Sequence, residues 1–354
     1  MKFTISWLKE HLDYDATLDD LTDRLTSIGL EVEDVSDRAK ELADFRVAHV
    51  VEAVQHPDAD RLRVCKVDTG SEVVQVVCGA PNARTGMKGV FAPSGAYVPG
   101  TDLWLKPTKI RGVESNGMLV SEREMGLSDE HDGIIEMPED AEIGASFAAL
   151  SGLDDPVIEI AITPNHQDAL GVYGIARDLA ASGFGTLKPL DTSPVAGKFE
   201  SPIGVNLNFG NVDPLPCSKF VGRYIRGVKN GPSPKWLQDK LRAIGLRPIS
   251  ALVDMTNYMT FDLARPLHVF DADKINGDIQ ARLSEAGETL LALDGEEYKL
   301  DAETCVIADD KTAVGLGGVM GGEVTGCSEE TVNVFIEAAS CGRFLRVKPV
   351  KPLS

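Results

Sequence analysis

The sequence predicts an α+β chain of several domains. Residues 45–91 hold four short β-rich runs separated by turns, a pattern that favours a small barrel. Segments on either side of that region carry apolar residues at helical spacing, within 17–28 and 168–183. A length of 354 residues corresponds to two or three domains, and a hydrophobic content of 43% is enough to build a core in each.

The formal net charge of −20 excludes indiscriminate binding to nucleic acids or anionic membranes, so any such contact needs a local basic cluster. The six cysteines form no CxxC pair, which favours free thiols over a disulfide or zinc framework. The N-terminus has no apolar targeting region, and no run approaches the ~18 apolar residues that a membrane span requires. From these features we expect a cytoplasmic protein without membrane contact.

The first part of the chain has helix and strand signals but no chemistry. Thr17 and Asp20 form a capping pattern, and Gly29 is placed to end the helix that follows. Residues 30–35 alternate as a strand. A second strand is predicted at 157–162 and a helix at 168–183.

The barrel region combines four predicted strands, 45–54, 62–68, 73–78 and 88–91, with an acidic composition. Between residues 41 and 150 there are 10 basic and 18 acidic residues, a net charge of −8. Two local groups are candidates for nucleic-acid contact, the alternative being a solvated barrel face: Arg61, Arg63 and Lys66, and Lys106, Lys109 and Arg111.

His56, Asp58 and Asp60 have a spacing that permits metal ligation. A tight turn set by Pro57 explains the same residues, and no further ligand follows them. The sequence therefore predicts a turn here and no metal site.

Residues 191–216 are rich in Pro, Gly, Ser and Asn, which indicates a linker with one short strand at 204–207. Beyond it we expect a helix over 233–243 with Pro234 at its first position. A hairpin is expected at 293–296, where an Asp-Gly pair marks the turn.

Two later stretches carry the candidate chemistry. In Arg247–Tyr258, the polar residues Asp254, Thr256 and Asn257 interrupt apolar sequence, and each needs a partner if buried. Arg265-Pro266-Leu267-His268 predicts a rigid corner that orients His268.

The second stretch is a glycine-dense loop over 314–323, followed by a strand that carries Glu337 at its apolar end. An exposed glutamate on an edge strand is the alternative for Glu337. The loop matches neither the dinucleotide fingerprint nor a Walker A motif, so nucleotide binding is not expected there.

Together these stretches resemble the β-subunit family of phenylalanyl-tRNA synthetases. The motifs that carry the resemblance are Asp254-Met255-Thr256-Asn257-Tyr258, Arg265-Pro266-Leu267-His268 and Gly318-Val319-Met320-Gly321-Gly322-Glu323. His56-Pro57-Asp58-Ala59-Asp60 and Ser115-Asn116-Gly117-Met118-Leu119 are similar to the family's tRNA-binding barrel. After the pair Pro164-Asn165, members of the family often carry Arg, whereas this chain has His166. The resemblance covers residues 1–339 and stops before the family's catalytic-like, Mg-associated and anticodon-binding portions.

The resemblance implies an OB-type β-barrel inserted in a small α/β domain and followed by a mixed α+β editing module. The implied parts are, in order, an N-terminal domain of 1–39 plus 152–190, an OB-fold domain at 40–151, a linker at 191–216, an editing domain at 217–339 and an unaligned basic tail at 340–354.

The resemblance also implies hydrolysis of mischarged tyrosyl-tRNA, in support of tRNA-Phe aminoacylation. The implied catalytic residues are His268 and Glu337, and the implied substrate-binding residues are Arg247, Thr256, Asn257, Pro266, Gly318 and Gly321. The expected partners are tRNA-Phe and an α subunit, within an αβ heterotetramer. ATP and Mg are expected for the full synthetase, with no cofactor in this fragment. A non-enzymatic tRNA-binding or assembly module, or a nonfunctional truncation, remains the alternative.

Overall fold

The computed structural model describes residues 1–341 and has a mixed α+β architecture. The helices in that range are α1 Ile5–His11, α2 Leu18–Ser27, α3 Arg38–Glu41, α4 Phe147–Leu150, α5 Val172–Ala181, α6 Lys235–Ala243 and α7 Ala251–Leu263. Short 3₁₀ turns lie at Pro99–Thr101, Gln167–Ala169 and Ala272–Lys274. No helix in this part of the chain is both long and apolar enough to span a bilayer.

The strands fall into two sets along the chain. The first twelve are β1 Lys2–Thr4, β2 Leu12–Asp13, β3 Glu31–Ser36, β4 Arg46–His56, β5 Ala59–Asp68, β6 Val73–Cys78, β7 Lys88–Ala92, β8 Tyr97–Val98, β9 Leu103–Trp104, β10 Thr108–Ile110, β11 Val113–Ser115 and β12 Met118–Leu119. The others are β13 Val157–Ala161, β14 Thr186–Leu187, β15 Val205–Asn208, β16 Cys217–Arg226, β17 His268–Asp271, β18 Ile279–Leu283, β19 Thr289–Leu291, β20 Glu297–Lys299, β21 Cys305–Ala308, β22 Ala313–Leu316, β23 Met320–Gly321 and β24 Asn333–Cys341.

The chain divides into two compact units, one formed by Val35–Ile158 and the other by Met1–Asp34 with the chain from Glu159 onward. The finer division expected from the sequence, with separate parts ending at 190 and 216, stays a prediction. Residues 342–354 of the predicted basic tail lie outside the described residues, whereas 340 and 341 belong to β24.

The unit of Val35–Ile158 is built on a five-stranded sheet in the order β12-β7-β4-β5-β6. Its core includes Val50, Val67 and Phe91. The Asn116 N–H donates to the Gln75 carbonyl at 2.8 Å, so the chain just before edge strand β12 also contacts the other edge strand, β6. This contact is compatible with an OB-type barrel, which stays a proposal.

Local signals for the first helices are confirmed. The Thr17 hydroxyl accepts from the Asp20 N–H while Asp20 caps the Thr17 N–H, so the predicted capping box begins α2. Gly29 follows the helix with φ of +89°, a conformation that glycine adopts without strain. In contrast, α6 begins at Lys235 with Pro234 as its N-cap, one residue away from the first-turn position expected for this proline.

The second unit contains the two sheets that form the candidate site. A three-stranded antiparallel sheet has the order β16-β24-β17, and a five-stranded sheet has the order β15-β18-β21-β22-β23. Phe270 and Phe335 of the first sheet pack with Ile279 and Ile307 of the second in one buried core. The two sheets therefore hold fixed positions relative to each other within this unit.

Candidate functional site

A cavity of about 540 Å³ opens beside this core. Such a volume falls in the range of small-molecule sites. Five of the eight residues that the sequence analysis assigns to the catalytic or substrate-binding set line it: Pro266, His268, Gly318, Gly321 and Glu337. Arg247, Thr256 and Asn257 do not line it, although they belong to the same unit.

Strand register brings the two ionisable groups together. Glu337 lies on the central strand β24, where it is paired with His268 of β17 on one side and Gly222 of β16 on the other. Because side chains alternate along a strand, Glu337, Ala339 and Cys341 face the cavity together, as the lining shows. The predicted strand over 332–339 is present as β24, which extends two residues further to Cys341.

The Glu337 carboxyl is buried, with 8% of the residue exposed. Burial raises its pKa to about 7, because the charged form loses its hydration. Within residues 1–341 no side chain donates a hydrogen bond to it. The alternative of a solvated edge-strand glutamate is thereby excluded.

His268 is held by close packing. Its ring meets Phe270 edge-on, with the ring centroids 4.3 Å apart. Burial lowers its pKa to about 4, so the imidazole is neutral at physiological pH. Its Nε2 atom is buried and has no hydrogen-bond partner within residues 1–341. A buried polar atom without a partner is costly and requires an explanation.

The absence of a side chain at Gly321 leaves the space that the His268 ring occupies. A Cβ atom added at Gly321 would lie 2.2 Å from His268 Cε1, a distance that no real contact reaches. The ring thus lies directly against the backbone of β23. This contact explains one glycine of the dense loop by close approach rather than by flexibility.

The rest of the loop is a tight turn between β22 and β23. The Gly317 N–H donates to the Cys305 carbonyl and the Val319 N–H to the Leu316 carbonyl. Gly318 lies between them with φ of +73°, and within residues 1–341 its N–H has no backbone acceptor. Gly318 also lines the cavity.

The polar residues of α7 have structural partners instead. Asp254 is buried and accepts from the Ser233 hydroxyl and from the Ile249 N–H. The Thr256 hydroxyl donates to the Val253 carbonyl at 2.8 Å. A substrate-binding role for Thr256, Asn257 or Arg247 stays a prediction.

Sequence reasoning assigns no function to two further residues at the rim, Arg265 and Gln167. Arg265 is the first residue of the predicted corner, so its place in the motif was a usable signal. Gln167 comes from the 3₁₀ turn after β13, and only the tertiary fold brings it here.

The predicted nucleic-acid contacts lie on exposed strands and turns of the Val35–Ile158 unit, where three of the six have protein partners. Lys66 forms an ion pair with Glu52 at 2.6 Å, and Lys109 with Glu114 at 3.5 Å. Arg111 donates to the Asp58 carbonyl. The other three are exposed: Arg61, Arg63 and Lys106.

The predicted turn at His56 is present. His56 is buried, and its Nδ1 accepts from the Asp58 N–H at 3.0 Å. Its Nε2 lies 3.1 Å from the Ile110 carbonyl oxygen. Across residues 1–341, no group of three or more His, Cys, Asp or Glu side chains is arranged to hold a metal ion.

Comparisons with known proteins agree with this organisation. Residues 216–344 match the B3/4 domain family, and residues 45–146 match the family described as "Putative tRNA binding domain". The chain is 60% identical over 341 residues to the phenylalanine–tRNA ligase beta subunit of Mesorhizobium japonicum, covering 96% of this chain and 42% of that protein. It is 58% identical over 346 residues to that of Cereibacter sphaeroides, with 96% and 43% covered.

Among solved structures, an N-terminal fragment of the phenylalanyl-tRNA synthetase beta-subunit from Pyrococcus horikoshii is 14% identical, with a TM-score of 0.31. That match covers 53% of this chain and 56% of that one. The chain spans less than half the length of the curated relatives it matches.

Replacing Glu337 by Gln should stabilise the fold in a pH-dependent way. A carboxyl whose pKa is raised in the folded state lowers stability as pH rises from its unfolded value of 4.5 to about 7. The unfolding free energy of Glu337→Gln minus that of the parent should grow by up to about 3 kcal/mol between pH 4.5 and 8. Denaturant titrations measure it, and a pH-independent difference would contradict the burial argument. The lowered pKa of His268 makes stability rise with pH instead, but this contribution is the same in Glu337→Gln and in the parent, so it cancels in the difference.

Gly321→Ala should cost about 1–3 kcal/mol of unfolding free energy, because the new methyl group displaces the His268 ring. Gly315→Ala is the matched control: it lines the same cavity and pairs with Gly321 across β22 and β23. Its added Cβ would lie 3.4 Å from the nearest atom, the Met320 carbonyl oxygen. Equal losses in the two variants would show that the contact with His268 is not what requires glycine.

Proposed function

The chain belongs to the phenylalanine–tRNA ligase beta-subunit family, whose N-terminal portion it matches, and we propose that it hydrolyses tyrosyl-tRNA at the cavity of Glu337 and His268. A pocket that selects phenylalanine is apolar and cannot strongly reject tyrosine, because an added hydroxyl costs only ~10² in discrimination. Accurate aminoacylation then requires a second site that removes tyrosine. That site must bind the phenolic hydroxyl preferentially.

The buried Glu337 carboxyl is the observation that carries this proposal. An ionised carboxylate accepts a hydrogen bond from the phenol of a tyrosyl group, whereas a phenylalanyl group leaves it buried and unpaired. Burial disfavours the charged form of this carboxyl, which is why its pKa is raised. The phenol of a tyrosyl group would donate a hydrogen bond to this carboxylate. A phenylalanyl group has no such donor, so it leaves the cost of the buried charge uncompensated.

Hydrolysis of the ester needs a positioned water and stabilisation of the oxyanion. At neutral pH the His268 imidazole is uncharged, so one of its ring nitrogens can accept a proton from water. The Gly318 N–H provides a donor for the developing oxyanion. Because His268 and Glu337 are cross-strand neighbours, one substrate can meet both groups, with its phenol at Glu337 and its ester near His268.

The other parts of the proposal rest on the family. The Val35–Ile158 unit is proposed to contact tRNA-Phe as an OB-type barrel, and an α subunit to join the chain in an αβ heterotetramer in the cytoplasm. ATP and Mg are proposed to bind outside this chain, which alone is not expected to aminoacylate tRNA. The competing function is a non-enzymatic tRNA-binding or assembly module, in which His268→Ala would leave hydrolysis unchanged.

Glu337→Ala should remove the preference for tyrosine. The loss of a charge-assisted hydrogen bond corresponds to roughly 10- to 150-fold in discrimination. The measurement is the ratio of tyrosyl- to phenylalanyl-tRNA deacylation, repeated in the α-containing complex if the chain alone does not bind tRNA. Glu330→Ala removes an equal charge from an exposed site and should keep the parent ratio. An unchanged ratio in Glu337→Ala would exclude Glu337 as the residue that recognises the hydroxyl.

Replacing Lys106, Lys109 and Arg111 together by Ala should weaken tRNA binding and flatten its salt dependence. Each lost phosphate contact lowers the slope of log affinity against log salt by roughly one unit. Lys106 should account for most of the change, since Lys109 and Arg111 already have protein partners. Lys66→Ala is the comparison for a lysine engaged in an ion pair. An unchanged slope in the triple variant would favour a scaffold role for this unit.

A further inference from the structure

We propose that Arg265 binds the phosphodiester that joins the last two nucleotides of the tRNA, so that the rim of the cavity holds the backbone of the substrate. The inference rests on the proposed function, because it assumes that an aminoacyl ester of a terminal nucleoside enters this cavity. It assigns an anion subsite to a residue that otherwise only precedes a turn.

The first argument is the gradient of burial along the cavity. Glu337 is buried, His268 is half-buried, and Arg265 is exposed, although all three line the same space. An aminoacyl-tRNA end has the same order of polarity: an amino-acid side chain, an ester, a ribose and then a phosphate. With the phenol at Glu337 and the ester near His268, the phosphate emerges on the exposed side, where Arg265 lies.

The second argument is that the Arg265 guanidinium has no partner within residues 1–341. Within residues 1–341, Arg265 makes no ion pair and no hydrogen bond, whereas Arg177, Arg282 and Arg84 each bind a carboxylate. In a chain with a net charge of −20, an exposed arginine without a carboxylate neighbour is conspicuous at a cavity. A guanidinium presents donors in a fixed fork that matches a phosphate.

The third argument is that the backbone restricts where this side chain can reach. Ala264 ends α7 in the left-handed region, with φ of +51°, and Pro266 follows Arg265 directly. Proline restricts the residue before it to extended conformations. An added Cβ at Gly171 would lie 2.3 Å from the Ala264 nitrogen. Gly171, the residue just before α5, therefore packs directly against this turn. The backbone of Arg265 is therefore held in a restricted conformation at the rim, next to the lining residues Leu267 and His268.

The test uses substrates that differ by one phosphodiester. Hydrolysis by the 354-residue chain is compared for 3′-O-tyrosyl-adenosine, which lacks a phosphate, and for the tyrosyl ester of cytidylyl-(3′→5′)-adenosine, which has one. Arg265→Ala should reduce kcat/KM for the dinucleotide ester about 10- to 100-fold, mainly through KM, and change that for the nucleoside ester less than about twofold. Arg265→Lys should recover part of the loss, since it keeps the charge without the fork.

Arg242→Ala is the control, because it removes an equal charge from the same unit outside this cavity. It should affect neither substrate. An equal loss for both esters in Arg265→Ala, or no loss for either, would overturn the assignment.

Binding of non-hydrolysable 3′-tyrosylamide analogues separates this inference from the proposed function. If the parent hydrolyses neither ester, the proposed function fails. The phosphate subsite still stands if the dinucleotide amide binds more tightly than the nucleoside amide and loses that advantage in Arg265→Ala. If the parent binds both amides equally, Arg265 does not hold a phosphodiester.

Discussion

The burial of the Glu337 carboxyl is the constraint on which the rest of the site depends. An ionisable group on the central strand of a three-stranded sheet loses most of its contact with water, and within residues 1–341 no side chain donates a hydrogen bond to it. The fold tolerates this only because the surrounding strands are fixed by their own pairing and by the core of Phe270 and Phe335. In the proposed function, a carboxyl so positioned recognises the substrate, which supplies the hydrogen-bond donor that residues 1–341 do not.

A second network holds the rim in place from a distance. The buried Asp262, near the end of α7, accepts from the Trp7 Nε1–H at 2.8 Å and lies 2.5 Å from His11 Nε2. Tyr258 stacks on Trp7, and Lys240 lies over both rings while its ammonium pairs with Glu10. Helix α1 thereby fixes the C-terminal end of α7. Because the turn to His268 begins where α7 ends, α1 contributes to the geometry of a cavity that it does not line.

The elements that the sequence predicted are those determined locally. The capping box at Thr17 and the Asp294-Gly295 hairpin depend on residues within a few positions of each other, and both are present. Glu337 was also recognisable, because a carboxylate inside an apolar run requires an explanation. In contrast, the pairing of Asp262 with Trp7 joins residues 255 positions apart, and the contact of Gly321 with His268 joins two strands. No local pattern encodes such contacts.

A polar residue within an apolar run can have either a structural or a functional role, and the sequence does not distinguish the two. Asp254 and Glu337 both meet the rule that a buried polar group needs a partner, yet Asp254 finds two within the chain and Glu337 finds none in residues 1–341. The sequence shows that such a side chain needs a hydrogen-bond partner, but it does not show which group provides it. Once the structure has accounted for Asp254, two buried groups remain without a hydrogen-bond partner in residues 1–341, the Glu337 carboxyl and His268 Nε2. Both border one cavity, and the exposed Arg265 lies at its rim. The substrate proposed above has a phenolic donor, an ester and a phosphate, and it would meet Glu337, His268 and Arg265 in their order of exposure.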